Sequence, residues 1–327
     1  MKFLVIRFSS IGDIVLTTPV VRCLKKQVPG TVIHYLTKKS FGSILETNPY
    51  IDQIHFLEDD MDSLLRKLQQ EKFDVIIDLH KNMRTLRVKQ ALKKKSFSFE
   101  KLNIQKWLMT NFKWNFLPNI HIVDRYLETV SSFGVVNDGA GLDYFIPADQ
   151  VFSITQLPEI FHKGYVGIVT GAAHATKRIP LDKLREICTN MGLPIVLLGG
   201  KEDLETGEVL SAIDPKRIYN ACGRLTINQS ASLVEQSRVI LTPDTGLMHI
   251  AAAFNKPIVA VWGNTIPQFG MYPYSGHFSS PYLNMEVTGL SCRPCSKIGF
   301  DVCPKKHFRC MEDQYSTVVV KNIMSFW

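Results

Sequence analysis

The stretch LTPDTGLMHIAAAFNKPIVAVWG, residues 241–263, decides how this chain folds. RVILTP (238–243) reads as a buried strand that runs into Pro-Asp-Thr-Gly. A helix begins near Leu247, and PIVAVWG (257–263) is the next strand. Strand, helix and strand in this order close as two parallel strands joined by a right-handed crossover. The helix start turns the backbone amides of Thr245, Gly246 and Leu247 outward, a seat for a pyrophosphate. His249 in the first turn adds a donor, and Asp244 at the strand exit can accept from sugar hydroxyls. The plain alternative is a capped helix with a core histidine. An Asp-Thr-Gly packed into this junction weighs against it.

Working outward, the same alternation recurs. GYVGIVTGAA (164–173) is a strand ending in small residues, LDKLREICTNMG (181–192) a helix, and LPIVLLGGKED (193–203) a strand with a glycine-rich exit. RIYNACG (217–223) is a short strand, and TINQSASLVEQS (226–237) a helix capped by Thr226 or Asn228. An earlier set starts at KFLVIR (2–7), with TVIHYLTK (31–38) and FDVIIDLH (73–80) as further strands. The chain of 327 residues therefore reads as two doubly wound α/β domains. The first is expected over 1–155 and the second over 156–313, with a closing helix over 314–327 packing back on the first. Ligands of such sheets sit at the carboxyl ends of the strands.

RFSSIGDIVLTTP (7–19) joins the first strand to a helix. Ser9, Ser10 and Gly12 are small enough for backbone amides to approach a ligand closely. Asp13 falls in the first helical turn, where the dipole favours a carboxylate. Taken alone, the stretch is equally a capped helix. It lacks G-x-G-x-x-G, so a dinucleotide site is not indicated.

Apolar residues make up 45% and charged residues 21%, enough for two cores, and no run of eighteen apolar residues suggests a transmembrane helix. The apolar start is too short for a secretion signal and is broken by Arg7 and Asp13, so a cytoplasmic location is expected. The net charge of +8 fits nucleic acid, an anionic membrane face or a phosphorylated small molecule. KNMRTLRVKQALKKK (81–95) carries much of it, but no nucleic-acid motif accompanies it, and nucleic acid ranks last. The aromatics of QKWLMTNFKWNFLP (105–118) read as core packing before a lipid-facing flap. Cys23, Cys188 and Cys222 read as core, whereas Cys292, Cys295, Cys303 and Cys310 form C-x2-C-x7-C-x6-C beside His307. Such a set would hold at most a structural metal, and nothing in the sequence ties it to the helix-start site.

RFSSIGDIVLTTPVVRCLK (7–25) and TPDTGLMHIAAAFNKPIVAVWGNTIP (242–267) resemble the signatures of glycosyltransferase family 9, the ADP-heptose:lipopolysaccharide heptosyltransferases. HIVDRYL (121–127), TKRIP (176–180), LLGGKED (197–203) and CRPCSKIGFDVCPKKHFRCM (292–311) resemble further blocks of that family in the same order. The resemblance implies a GT-B fold, two Rossmann-like domains across a cleft, and an inverting transfer without cofactor or catalytic metal. It makes Asp13 the base that takes the acceptor proton, its pKa raised by desolvation toward the working range. Lys177 becomes the lysine that offsets charge on the departing diphosphate. Thr245, Gly246, Leu247 and His249 match the pyrophosphate turn, and Asp244 the holder of donor-sugar hydroxyls. Glu202 or Asp203 falls at the ribose acid, and Leu225 where backbone meets adenine. Ala172 and Ala173 stand where the family often has hydroxyl residues, so Ala173 offers only its amide. The acceptor side is expected to involve Ser10, Gly12, His80, Lys81, Arg84 and Arg125.

The implied partners are a nucleotide-sugar donor, with ADP-heptose first, and an anionic glycolipid acceptor of the lipid A–Kdo type, met at the inner face of the cytoplasmic membrane. Two other readings stay open: another sugar nucleotide or acceptor, and a binding protein of the same fold without turnover. A GT-B epimerase ranks low because it would lack the Asp-Thr-Gly-x-x-His turn.

Overall fold

The computed structural model describes residues 1–57, 59–277 and 280–327. The first half holds β1 (Lys2–Ile6), α1 (Ile11–Val15), α2 (Thr18–Gln27), β2 (Val32–Lys38), β3 (Gln53–Leu57), α3 (Met61–Gln70), β4 (Val75–Asp78), α4 (Met83–Leu92), β5 (Lys95–Ser98), α5 (Asn103–Phe112) and α6 (Ile122–Leu127). The second half holds β6 (Val166–Val169), α7 (Leu181–Met191), β7 (Ile195–Leu198), α8 (Leu204–Ser211), β8 (Ile218–Asn220), α9 (Ile227–Gln236), β9 (Val239–Pro243), α10 (Gly246–Ala253), β10 (Ile258–Trp262), β11 (Tyr282–Glu286), α11 (Arg309–Glu312) and α12 (Ser316–Phe326).

Two sheets result, in the orders β3-β2-β1-β4-β5 and β11-β10-β9-β6-β7-β8, with every pair parallel. Helices cover both faces, so central strands such as Phe3–Ile6 and Val239–Leu241 are wholly buried and read as unbroken apolar runs. The strand order reverses between β1 and β4 in one sheet and between β6 and β9 in the other. A crevice opens at such a switch point. The expected two Rossmann-like sheets are present. The edge strands β3, β5 and β11, absent from the sequence reading, are short and only partly buried.

The expected single helix after residue 10 is two. Pro19 has no N–H to give the Val15 carbonyl, and the Thr18 hydroxyl donates to that carbonyl instead, at 2.8 Å. The chain bends there and restarts as α2. Thr226 caps α9 and accepts from the Gln229 amide at 3.2 Å. Asn228 is spent elsewhere: it is buried, accepts from Tyr144 Oη at 2.6 Å and donates to the Ser43 carbonyl at 3.1 Å.

Two expectations fail. α12 packs on α7 rather than on the first domain, because Val319 and Ile323 join the cluster of Ile187, Cys188 and Val259. Ser316 also donates to Glu186. The aromatics of α5 and its exit are not core: Trp107, Phe112, Trp114 and Phe116 are all more than half exposed. α5 buries none of its residues, and its rings pack on one another, Trp107 against Phe112 at 5.3 Å between centroids. Cys23, Cys188 and Cys222 are buried as expected. Among the described residues no helix is long and apolar enough to cross a membrane.

Candidate active site

The two switch points face each other through α1 and α10. Both helices start with small residues, and the structure shows why. A Cβ on Gly12 would lie 2.5 Å from Cδ2 of His249, and one on Gly246 would lie 2.7 Å from Cγ2 of Ile11. A side chain at either position meets the other domain, and something must shift to admit it. Gly12, expected at the acceptor, therefore serves the contact between the domains.

On the first domain, Asp13 sits in the opening turn of α1. Its Oδ2 accepts from the Ser10 amide at 3.2 Å and the Ser10 hydroxyl at 2.9 Å. Its Oδ1 lies 2.6 Å from Nη2 of Arg7. Ser10 thus orients the carboxylate. Arg7 is anchored in turn by donating to the carbonyls of Ser9 and Leu79, both at 2.7 Å, and to Tyr126 Oη at 3.0 Å. Burial alone would raise the Asp13 pKa. The charge of Arg7, the two Ser10 hydrogen bonds and the field of His249 outweigh it, and the carboxyl is held below its ordinary range. The expected upward shift is therefore wrong in sign. Desolvation alone leaves out Arg7, six residues upstream, whose charge reverses the shift.

On the second domain, β9 ends at Pro243 and α10 begins at Gly246. Thr245 is the N-cap but gives no side-chain hydrogen bond to the first turn. The opening amides of α10 therefore gain no bond from that side chain. Lys177 reaches in from the loop after β6, with Nζ 2.7 Å from Oδ2 of Asp244. Thr265 donates to the same oxygen at 3.0 Å. His249 is buried with Nδ1 unpartnered, and burial pushes its pKa down to about 4, so the ring is neutral near pH 7. Beside Thr265, a cavity of about 280 Å³ opens between α5 and the loop after β11, lined by Met109, Ile266, Gln268, Val287, Arg293 and Pro294.

The paired acids at the exit of β7 have different surroundings. Asp203 is buried and accepts from the Gly200 amide at 2.8 Å, so its carboxylate caps the turn. Glu202 is exposed. Leu225 is half-buried against the core, and Ala173 is exposed at the end of the β6 loop.

The residues expected at the acceptor divide. His80 packs on Phe8 at 4.9 Å between centroids, and its buried Nδ1 has no partner. Burial, with Arg7 and Lys101, lowers its pKa to about 4. Lys81 is exposed and donates its amide to Asp78 at 2.7 Å. Arg84 is exposed on α4, and Arg87 pairs with Asp62 at 3.3 Å on the surface. Arg84 and Arg87 thus lie on the solvated side of α4, whereas Lys89 reaches inward to the buried Asp78 at 3.1 Å. Arg125 is buried and donates to the carbonyls of Glu100 and Phe269, a tie between the domains rather than an open contact.

Three lysines escaped the sequence reading. Lys101, Lys106 and Lys297 lie close enough to act on one another electrostatically, and Asp13 acts on Lys101 and Lys106. Burial, then the charge of Arg125, lowers the Lys106 pKa to about 8. They come from three separate stretches, so no motif could have shown them.

The four late cysteines are free thiols. Cys292 Sγ stands 3.8 Å from His307 Nε2, and Cys295 Sγ donates to the Cys292 carbonyl at 3.0 Å. Their segment does touch the donor side, contrary to expectation. The Thr176 amide donates to the Phe300 carbonyl at 3.0 Å, and the Cys295 amide to that of Asn264 at 3.1 Å.

The model of glycosyltransferase family 9 (heptosyltransferase) matches residues 61–296. Lipopolysaccharide heptosyltransferase 1 of Campylobacter coli is 26% identical over 297 residues, which cover 81% of this chain and 84% of that protein. The structure of E. coli ADP-heptose lps heptosyltransferase II shares the fold with a TM-score of 0.76 at 20% identity, over 100% of this chain and 98% of the other. E. coli heptosyltransferase WaaC with ADP gives a TM-score of 0.71 at 18% identity, over 100% of both chains. With two parallel switch-point sheets, a carboxylate facing a helix start, and a family match over most of its length, this chain belongs to glycosyltransferase family 9 and is a glycosyltransferase of GT-B fold.

Proposed function

We propose that the protein transfers a heptose from ADP-heptose to an anionic inner-core lipopolysaccharide acceptor, with inversion and without a catalytic metal. The observation that carries this is the placement of Asp13 opposite the start of α10 with the Lys177–Asp244 pair beside it. The diphosphate rests on the amides of Gly246 and Leu247. Lys177 turns from Asp244 to the phosphates and balances the charge that grows on the leaving group. Asp244 is then free to hold sugar hydroxyls, Glu202 meets the ribose, and the backbone at Leu225 and Ala173 borders the nucleotide. The acceptor hydroxyl gives its proton to Asp13 as its oxygen attacks the anomeric carbon, and the bond to the diphosphate breaks. Lys101, Lys106 and Lys297 attract the acceptor's negative groups.

The relatives named for lipopolysaccharide heptosyl transfer, and the family structure named with ADP, support this choice of donor and acceptor. The exposed aromatics of α5 beside the lysines suit a surface that meets an anionic bilayer. Calorimetry with ADP-heptose, UDP-sugars and GDP-sugars in the presence of a chelator tests the donor. Selective binding of ADP-heptose is expected. Equal or tighter binding of another sugar nucleotide would refute the donor assignment.

A further inference from the structure

At the amino ends of the first sheet's strands, away from the cleft, lies a cluster that the transfer does not use. His34 is in β2 and His55 in β3. Register pairs His34 with Gln53 and Leu36 with His55, so the two histidines are diagonal neighbours on one face. Glu71 follows α3 directly. His34 Nδ1 lies 2.8 Å from His55 Nε2, and Glu71 Oε2 lies 3.9 Å from His34 Nδ1. One ligand atom from each residue falls within 4.8 Å of the other two. Phe73 packs edge-on against both rings, at 5.3 and 6.1 Å between centroids, and fixes them. His34 is buried, while His55 and Glu71 are half-buried, so the cluster has one side open to solvent.

Two imidazole nitrogens that face each other at 2.8 Å share a proton or a cation. We propose that His34, His55 and Glu71 form a binding site for a divalent transition-metal ion of the zinc and cobalt kind, with water as the fourth ligand. Two nitrogens and one carboxylate suit such ions and not calcium or magnesium, which take oxygen ligands. Bonds of about 2.0–2.2 Å need the donor atoms to sit a little over 3 Å apart, so the two nitrogens part by about 0.5 Å and the carboxylate closes by about 1–1.5 Å. Lys2 competes for the site: its Nζ lies 2.5 Å from Glu71 Oε2 and over the Phe73 ring at 5.4 Å. Binding moves Lys2 off the carboxylate. The ion then ties edge strand β3 and the end of α3 to β2.

The test uses the full chain, stripped with a chelator and titrated with cobalt chloride while visible absorption is read. A thiolate-bound ion shows an intense sulfur-to-metal band in the near ultraviolet, so the cysteine segment is told apart from a nitrogen and oxygen site. One equivalent should bind with weak visible bands and without that band. His55→Gln should weaken this binding by about tenfold or more, and Lys2→Ala should strengthen it. Cys292→Ser should leave it unchanged, and His55→Gln should leave sugar transfer unchanged. Because His34 is buried, His55→Gln is the deciding variant, with its fold checked by circular dichroism. Equal cobalt binding in His55→Gln and the parent chain, or only thiolate-type binding in the parent, would overturn the site.

Discussion

Oδ1 of Asp13 stands 2.6 Å from Nη2 of Arg7, and this pair sets the ionisation of the proposed base. Both side chains are largely buried, so little water screens them. The carboxyl is charged at every pH at which the enzyme would be assayed, and Arg7 holds it there. In the proposed transfer a proton moves to it only as the acceptor oxygen turns nucleophilic, which couples deprotonation to attack.

Asp13 therefore should not produce an acid limb in kcat/KM between pH 5 and 7. Its folded pKa lies below the ordinary carboxylate value, so the charged form, and the stability it adds, persist above that value and are lost only as pH falls through the lowered one. In Arg7→Met the lowering charge is gone and burial dominates. The acid limb should then move up, into a range that a pH–rate profile can follow. An unchanged profile would separate Arg7 from the ionisation of Asp13. The variant should also lose about 3 kcal/mol of stability, the scale for breaking a buried pair, read by denaturant melts.

Gly12→Ala places a methyl group 2.5 Å from the His249 ring. Neither side can yield easily, because His249 is buried and Gly12 is inside α1. A loss of about 1–3 kcal/mol is expected from overpacking, and a displacement of about 1 Å across the cleft should lower kcat about a hundredfold. Thermal melts and steady-state rates check the two effects separately.

Lys177→Ala should weaken binding of the nucleotide diphosphate by about ten- to a hundredfold, the scale for losing a charged contact of about 1.5–3 kcal/mol. It also leaves Asp244 with the hydrogen bond from the Thr265 hydroxyl. Calorimetry with ADP reads the first effect without needing an acceptor.

Lys106 should tie acceptor use to pH and salt. With its pKa lowered to about 8, it is charged at pH 7 and neutral at pH 9. The KM for an anionic acceptor should rise across that interval, while ADP affinity changes little. Lys106→Met should raise the acceptor KM at pH 7 and flatten its rise. Salt should weaken acceptor binding by screening in the parent more than in the variant.

The parallel sheets were legible because buried strands such as KFLVI and VILTP are apolar throughout, and because Asp-Thr-Gly punctuates one of them. Asp13 and Asp244 were legible as residues next to strand exits, and Lys177 through the family resemblance. Their states were not. The ionisation of Asp13 depends on Arg7, and the pairing of Lys177 with Asp244 spans two loops of one sheet. The exposed ledge of α5 misled because Trp and Phe usually mark a core, and only the packing shows that no sheet face covers them. Asp203 and Glu202 are adjacent in sequence, yet one caps a turn and the other faces water, a difference made by the Gly200 amide. His34, His55 and Glu71 meet by strand register, which no linear spacing displays.

In the proposed transfer from ADP-heptose, Asp13 takes the acceptor proton. The direct measurement is ADP release with ADP-heptose and a Kdo-bearing lipid A acceptor, in chelator, for the parent chain and Asp13→Asn, with ADP binding of each measured alongside. Turnover by the parent without added metal is expected, with a kcat lower by about 10² to 10⁴ in Asp13→Asn at nearly unchanged ADP affinity. Turnover by Asp13→Asn at the parent's rate would contradict it.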